Sequence, residues 1–431
     1  HGDEAELAAT SLHYTLNGYK TTLSARGMDF SDPAAQEAFG NHCSSCHATC
    51  GECHVSRPRS AGGGLIAGHE FKKVASITNT CLACHAITRI NSPRGNADYT
   101  LTDPPRYPFA FSEHPLLRAI NRQLIKAKPG FHKQTLLKPL HKSAQFCSSC
   151  HKVHLPYALN RYRWLRGQNH YDSFLLSGVS GHGVASFYYP PQAEPNCNGC
   201  HMPITHSDDF GARDLDGSGE TAIHGHQFAA ANTAVPMMVG LPVEAIEPHR
   251  EMLQGALRVD LFGLREGGTN QGRLLAPLRP ALPALRPGGS YLLETVLRTL
   301  TLGHWFTEGT ADSNQVWVEV EVRDGARVIG RSGAMDPADG TVDPWSHFVN
   351  AWVIDREGRR IDRRNVEDIF TSLYNHQIPP GAALETTEDK IGLAGQGLRA
   401  GQVRQGGAQA VPLGDDGGQV CRHLIHILKG G

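Results

Sequence analysis

No stretch of this sequence approaches the run of about eighteen uninterrupted apolar residues that reads as a membrane-crossing helix. The nearest, Ala229 to Ile246, is broken by Asn232, Pro236 and Pro242. An excess of one charge is lacking too: 41 Lys and Arg stand against 42 Asp and Glu, so the polypeptide is nearly neutral. That argues against a nucleic-acid protein held by phosphate neutralisation, and against a disordered acidic chain. Charged residues are only 19% of the chain, and Met occurs six times in 431 residues. The length allows roughly two to three domains. The chain opens at His1 with neither Met nor an apolar leader, which reads as a processed mature chain or a fragment.

What is abundant is histidine and cysteine, with 24 of the first and 11 of the second. Ten of the Cys lie between Cys43 and Cys200, and eighteen of the His lie at or before His226. An extracellular disulfide scaffold would account for the Cys but not for the His, so the pair of enrichments points to metal chemistry.

The ten Cys resolve into five copies of Cys-x-x-Cys-His. They are Cys43-Ser-Ser-Cys46-His47, Cys50-Gly-Glu-Cys53-His54, Cys81-Leu-Ala-Cys84-His85, Cys147-Ser-Ser-Cys150-His151 and Cys197-Asn-Gly-Cys200-His201. This is the attachment signature of c-type haem. The two thiols form thioethers to the vinyl groups, and the adjoining His supplies the proximal imidazole to iron. A redox dithiol needs no His after its second Cys, and a structural zinc knuckle gives that His no role. A disulfide between residues three apart is strained. Only Ala48 and Thr49 separate the first motif from the second, so their two macrocycles must be near neighbours.

Each iron has a sixth position to fill. Only Met28 and Met202 fall within residues 1–226, against thirteen His outside the motifs, so bis-His ligation at low potential is expected. The distal candidates are His13, His69, His141, His170, His182, His224 and His226, each weighed against a propionate partner or a surface histidine. Of His224 and His226, one is expected to ligate and one to hydrogen-bond. His42, His114, His132, His154 and His206 rank behind them.

Several segments resemble bacterial multihaem, here pentahaem, c-type cytochromes. The carriers are the fused run Cys43 to Val55, Phe146 to Val153, Arg166 to Ser173, Cys197 to Pro203 and His224 to Phe228. The wider group includes the tetrahaem ammonia-oxidiser cytochromes and hydroxylamine-oxidoreductase-like proteins, and the resemblance spans roughly residues 10–380. It implies electron transfer in the periplasm or at the cell surface, on packed and mostly bis-His haems. Other redox proteins or multihaem cytochromes are the implied partners, with self-assembly or a membrane complex as further options. Nothing matches a Cys-x-x-Cys-Lys site, which counts against pentahaem nitrite reduction. The rival reading is an oxidoreductase acting on a small nitrogen or sulfur compound at one haem with an open distal site.

The expected architecture is a mostly α and irregular multihaem domain over 1–250, then an all-β antiparallel sandwich-like domain over 251–384, then a Gly-rich tail over 385–431. A helix is predicted from Pro33 to the first motif, and another from Tyr162 to Ser177. Val316, Val318, Val320 and Val322 alternate with Trp317, Glu319 and Glu321, predicting a half-buried strand. Asp324-Gly325 and Glu357-Gly358 read as hairpin turns. Arg258–Leu264, Tyr291–Leu302 and Phe348–Ile354 read as further strands. His304 is expected either to face the haem domain or to serve as a buried structural residue. Asp214, Asp216 and Glu220 resemble part of a calcium loop, although Ala212 and Ile223 break the EF-hand register. Cys421, with His423 and His426, is read as a lone surface thiol.

Overall fold

The computed structural model describes residues 2–11, 13, 81, 84–102, 104–110, 112–154, 166–184, 190–231, 236, 241–280, 283–286, 288–309, 315–324, 326–338, 341–361, 368–392, 403–404, 409–410 and 420–427. The first two attachment motifs, His69, and the helix expected after Pro33 lie outside these residues.

In chain order the elements begin with α1 (Gly2–Ala9), β1 (Ile87–Ile90), β2 (Tyr99–Leu101), α2 (Pro115–Ala127), α3 (Pro129–Leu136) and α4 (Ala144–His151). Then come β3 (Lys152–His154), β4 (Arg166–Asn169), α5 (His170–Leu176), α6 (Asn198–His201), β5 (Ile204–His206), β6 (Ala222–His224) and α7 (Val243–Leu253). The remainder is β: β7 (Leu257–Glu266), β8 (Leu274–Leu275), β9 (Ser290–Thr299), β10 (Gln315–Asp324), β11 (Arg327–Ser332) and β12 (Ala351–Ile354). It closes with β13 (Arg360–Ile361), β14 (Thr371–Asn375), β15 (Ala383–Gly392), β16 (Val403–Arg404), β17 (Gln409–Ala410) and β18 (Val420–Ile427). No helix among the described residues is long and apolar enough to cross a membrane.

The chain divides into two compact units. One draws on His1–Asn17, Ser31–Leu155 and Pro195–Phe228; the other on Gly18–Phe30, Pro156–Glu194 and Ala229–Gly431. The segment 156–194 groups with the β-rich chain that follows it. Its α5 packs inside that unit: a Cβ added at Gly303 would stand 3.3 Å from the Phe174 ring and 3.4 Å from Val179.

In the first unit three helical turns follow one another, each opened by a proline at its first position: Pro115, Pro129 and Pro139. Proline suits that place because its missing N–H is not needed there, and it bars the preceding residue from continuing a helix. The hairpin of β1 and β2 joins the third motif to the fourth. Ile87, Ala97 and Tyr99 form a small core on which Leu140, Phe146 and Cys150 pack. Gly95 makes the join feasible. Its φ is +81°, and a Cβ there would collide with the Lys152 carbonyl oxygen.

In the second unit β15–β9–β7–β8 form an antiparallel sheet. A second sheet runs β11–β10–β18–β16, with β17 also on β18, and β10 pairs β18 in parallel. Leu257, Leu264, Tyr291, Leu293 and Leu297 of the first sheet share a core with Val316, Val318 and Val320 of the second. A third, small sheet is β13–β12–β14.

Three sequence expectations change. The β10 strand is buried on both faces, not one, because Trp317 packs with Val342 and Phe348 while Glu319 and Glu321 are covered. Arg331 makes this tolerable: Nε lies 3.2 Å from Glu319 and Nη2 2.8 Å from Glu321. Of the helix expected over Tyr162–Ser177, residues 162–165 lie outside the described ones; in the rest Arg166–Asn169 is extended and the helix is α5, which Asn169 caps by accepting from the Asp172 amide at 3.4 Å. The stretch expected as a Gly-rich tail contributes strands among its described residues: β15 adds to the edge of β9, and β18 lies beside β10. Their partners are remote in sequence, so local composition carried no signal of them.

Candidate haem-attachment site

The third, fourth and fifth motifs lie in the first unit, on or beside short elements. Cys84 and His85 directly precede β1. Cys147, Cys150 and His151 occupy the last turns of α4. Cys197 caps α6, which carries Cys200 and His201. None of these six Cys is in a disulfide. The thiols of Cys147 and Cys197 share a hydrogen bond; this contact and burial push the Cys147 thiol up, with Cys84 and Cys150 adding to the effect. The three motifs therefore converge.

His85 shows how the chain prepares an imidazole. Its Nδ1 lies 2.9 Å from the carbonyl oxygen of Leu136, the last residue of α3. Donation from Nδ1–H leaves the Nε2 lone pair for a metal. Burial, aided by His141, His226 and Lys138, pushes its pKa down to about 4, against the opposing pull of the Leu136 bond, so the ring is neutral. A neutral imidazole is the ligating form.

The expected distal ligands separate in space. His13, His141, His224 and His226 belong to the first unit, and His170 and His182 to the second. The His226 ring is 6.5 Å from His85, and His13 is 5.9 Å from His151, centroid to centroid. Two imidazoles on opposite sides of one metal, with metal–nitrogen bonds of about 2 Å, have centroids about 6 Å apart. His141 is closer to His85, at 4.9 Å, and both its nitrogens are engaged. Nδ1 accepts from the Lys138 amide at 2.9 Å, and Nε2 faces the Cys84 carbonyl at 3.2 Å. His224 places Nδ1 3.0 Å from the Met202 carbonyl, and His226 places Nδ1 2.8 Å from the His224 carbonyl. Both thus present Nε2, and burial lowers the pKa of His226. Phe228 packs on His13 at 4.5 Å and on His226 at 5.8 Å, bracing both rings. Thiols outside any disulfide, beside His85 and His226 that burial keeps neutral and backbone carbonyls orient, fit a c-type haem at this ring separation.

In the second unit His182 is exposed between its two glycines. His170 meets His304 edge to face, 5.1 Å apart. His304 Nδ1 lies 3.5 Å from Glu308, which accepts a 2.7 Å hydrogen bond from Ser173. Burial first, and Asp172 last, push the Glu308 pKa up to about 8, against the pull of the Ser173 and Trp305 bonds. Sequence reading missed Glu308, since one acid in Phe306-Thr307-Glu308-Gly309 carries no mark of its burial. It also missed the orienting carbonyls of Leu136 and Met202, which no side-chain pattern encodes.

The Asp214–Glu220 loop spends its carboxylates on its own amides. Asp214 accepts from Gly217 at 2.6 Å and from Gly219 at 3.1 Å, and Asp216 accepts from Ser218 at 3.0 Å. Among the described residues no group of three or more His, Cys, Asp or Glu is arranged to hold a metal ion by itself.

No protein-family model matches the chain, and no curated protein matches it. Among solved structures the chain is similar to the crystal structure of a penta-heme cytochrome c552 from Thermochromatium tepidum. The identity is 14% and the TM-score 0.48, over 92% of this chain and 86% of that one.

Proposed function

We propose that this chain is a multihaem c-type cytochrome that transfers electrons in the periplasm or at the cell surface through five covalently attached haems. The observation that carries the reading is the fivefold Cys-x-x-Cys-His signature, with the third, fourth and fifth copies gathered into one compact unit. Haem bound at such motifs supplies a one-electron couple at iron. The chain's own residues do the rest. Paired thiols tether the macrocycle, the motif histidines hold the proximal position, and backbone carbonyls fix the ring tautomer. Burial keeps the His85 and His226 imidazoles neutral. Ring separations support His226 as the partner of His85, and His13 as the partner of His151. Short distances between attachment sites favour passing electrons from one haem to the next, and redox proteins are the natural partners. In the Asp214–Glu220 loop the Asp214 and Asp216 carboxylates already accept from loop amides, which lends calcium little support there.

The test is direct. Protein matured with the haem-attachment machinery should weigh five haem masses more than the polypeptide, and a pyridine haemochrome assay should count five. Four or fewer in fully matured protein would refute the stoichiometry.

A further inference from the structure

We propose that the helical pair α2–α3 is the docking face for an acidic electron-transfer protein, which meets the chain beside the haem held by His85. The inference rests on the multihaem reading above.

The argument starts in the sequence. Between Glu113 and Asp172 there is no Asp or Glu, while Arg118, Arg122, Lys126, Lys128, Lys133, Lys138, Lys142, Lys152, Arg161, Arg163 and Arg166 all fall there. In a chain with 41 basic and 42 acidic residues, so one-sided a segment makes a local positive field, not a net one.

The structure puts part of that charge on one surface. Arg118, Arg122 and Lys126 recur every fourth residue, so they form one stripe along α2, and all three are exposed. Lys128 and Lys133 continue the exposed charge onto α3. None of these five pairs with a carboxylate among the described residues. Lys126 does lie over the Phe210 ring, 5.2 Å from its centroid. No residue of either helix is buried. Unpaired cations on an open face steer an anionic partner and speed encounter.

The same helices reach the redox centre. The carbonyl that orients His85 belongs to Leu136, at the end of α3. The next turn carries Lys138 and His141, and α4 then carries the fourth motif. Lys126, the near end of the stripe, is followed by α3, a helix of about 12 Å whose last residue orients that imidazole. In the encounter one electron leaves the partner, which is oxidised, and one ferric iron becomes ferrous; no proton or ligand changes hands.

An anionic lipid surface is the less favoured occupant. On α2 the exposed apolar residues Leu116, Ile120 and Leu124 lie on the side opposite the cations, since successive residues turn by about 100°. A helix lying on a membrane buries its apolar face and turns its polar face to water, so lipid would seat α2 on Leu116, Ile120 and Leu124 rather than on the cationic stripe.

The experiment uses the holoprotein, with haem c first counted by pyridine haemochrome. Its absence would refute the multihaem reading and leave the docking question separate. With haem present, reduction by flavodoxin hydroquinone, an acidic one-electron donor, is followed by stopped flow across ionic strength. Reduction by a neutral hydroquinone serves as the control. The variant Arg118→Glu/Arg122→Glu/Lys126→Glu should slow flavodoxin at least about tenfold at low salt and flatten the salt dependence. It should leave the neutral donor and the haem spectrum unchanged. The milder Arg118→Gln/Arg122→Gln/Lys126→Gln should fall between. Unchanged flavodoxin kinetics in both variants would overturn the proposal. So would equal slowing with both donors. So would unchanged flavodoxin kinetics together with lost sedimentation on phosphatidylglycerol vesicles, which would assign the stripe to lipid.

Discussion

The Nδ1 of His85 lies 2.9 Å from the backbone carbonyl oxygen of Leu136, fifty-one residues further along the chain. This one hydrogen bond ties the third Cys-x-x-Cys-His motif to the end of a helix that contains no motif residue. It sets the tautomer of the ring, and it couples the proline-started helices after Glu113 to that motif. The His226 ring lies 6.5 Å from that of His85, and the His13 ring 5.9 Å from that of His151.

His226→Ala and His13→Ala should each remove one sixth ligand. Electron paramagnetic resonance of the oxidised holoprotein should be wholly low-spin in the wild type and gain one high-spin ferric signal in each variant. His141→Ala should add none, because that ring spends both nitrogens on backbone groups. A high-spin signal in the wild type would instead favour the oxidoreductase reading.

Gly95→Ala should destabilise the join between the third and fourth motifs. The residue has φ of +81°, and the new Cβ would meet the Lys152 carbonyl, so backbone must move. A loss of at least about 1 kcal/mol is expected from the positive φ alone, with the clash adding to it. Urea unfolding of the holoprotein, read in the haem absorbance, measures it.

Arg331 neutralises two covered acids. Arg331→Met should cost about 3 kcal/mol, the low end for breaking a buried pair, because the guanidinium is itself half exposed. The triple variant Arg331→Met/Glu319→Gln/Glu321→Gln should recover part of that loss. Thermal unfolding followed by tryptophan fluorescence, with Trp317 in the same strand, is the readout.

Stability of the β-rich unit should depend on pH through two groups of opposite sign. Glu308 titrates at about 8 when folded and 4.5 otherwise, so the folded chain keeps a proton that the unfolded chain releases. Its contribution is complete below pH 4.5 and is lost as pH rises towards 8. His347 titrates at about 4 when folded and 6.5 otherwise, because burial, and His376 stacked 5.0 Å away, disfavour its charge. Its contribution is complete above pH 6.5 and is lost as pH falls towards 4. The two slopes, each at most about 1.4 kcal/mol per pH unit, oppose one another between 4.5 and 6.5. Urea midpoints should therefore be flat there and fall from 6.5 to 8, and Glu308→Gln should abolish the fall.

Much of the proposed chemistry was legible in the primary sequence because it is local. Five consecutive residues suffice to specify a haem tether, so Cys147 to His151 can be recognised without any neighbour. The β10 strand and its turn were legible for the same reason. Side chains alternate with period two, and Val316 to Val322 display it directly, as Asp324-Gly325 displays its turn. Even the positive segment is a property of the sequence, since it lies between Glu113 and Asp172.

Tertiary structure alone decided which remote groups meet. No periodicity brings His226 opposite His85, sends the Leu136 carbonyl to a histidine, or lays β18 parallel to β10. It also decided burial, turning Glu319, Glu321 and Glu308 from ordinary acids into groups that need Arg331 or a retained proton. Burial is a property of what packs against a residue, and a carboxylate's charge is costly only once water has been removed from around it.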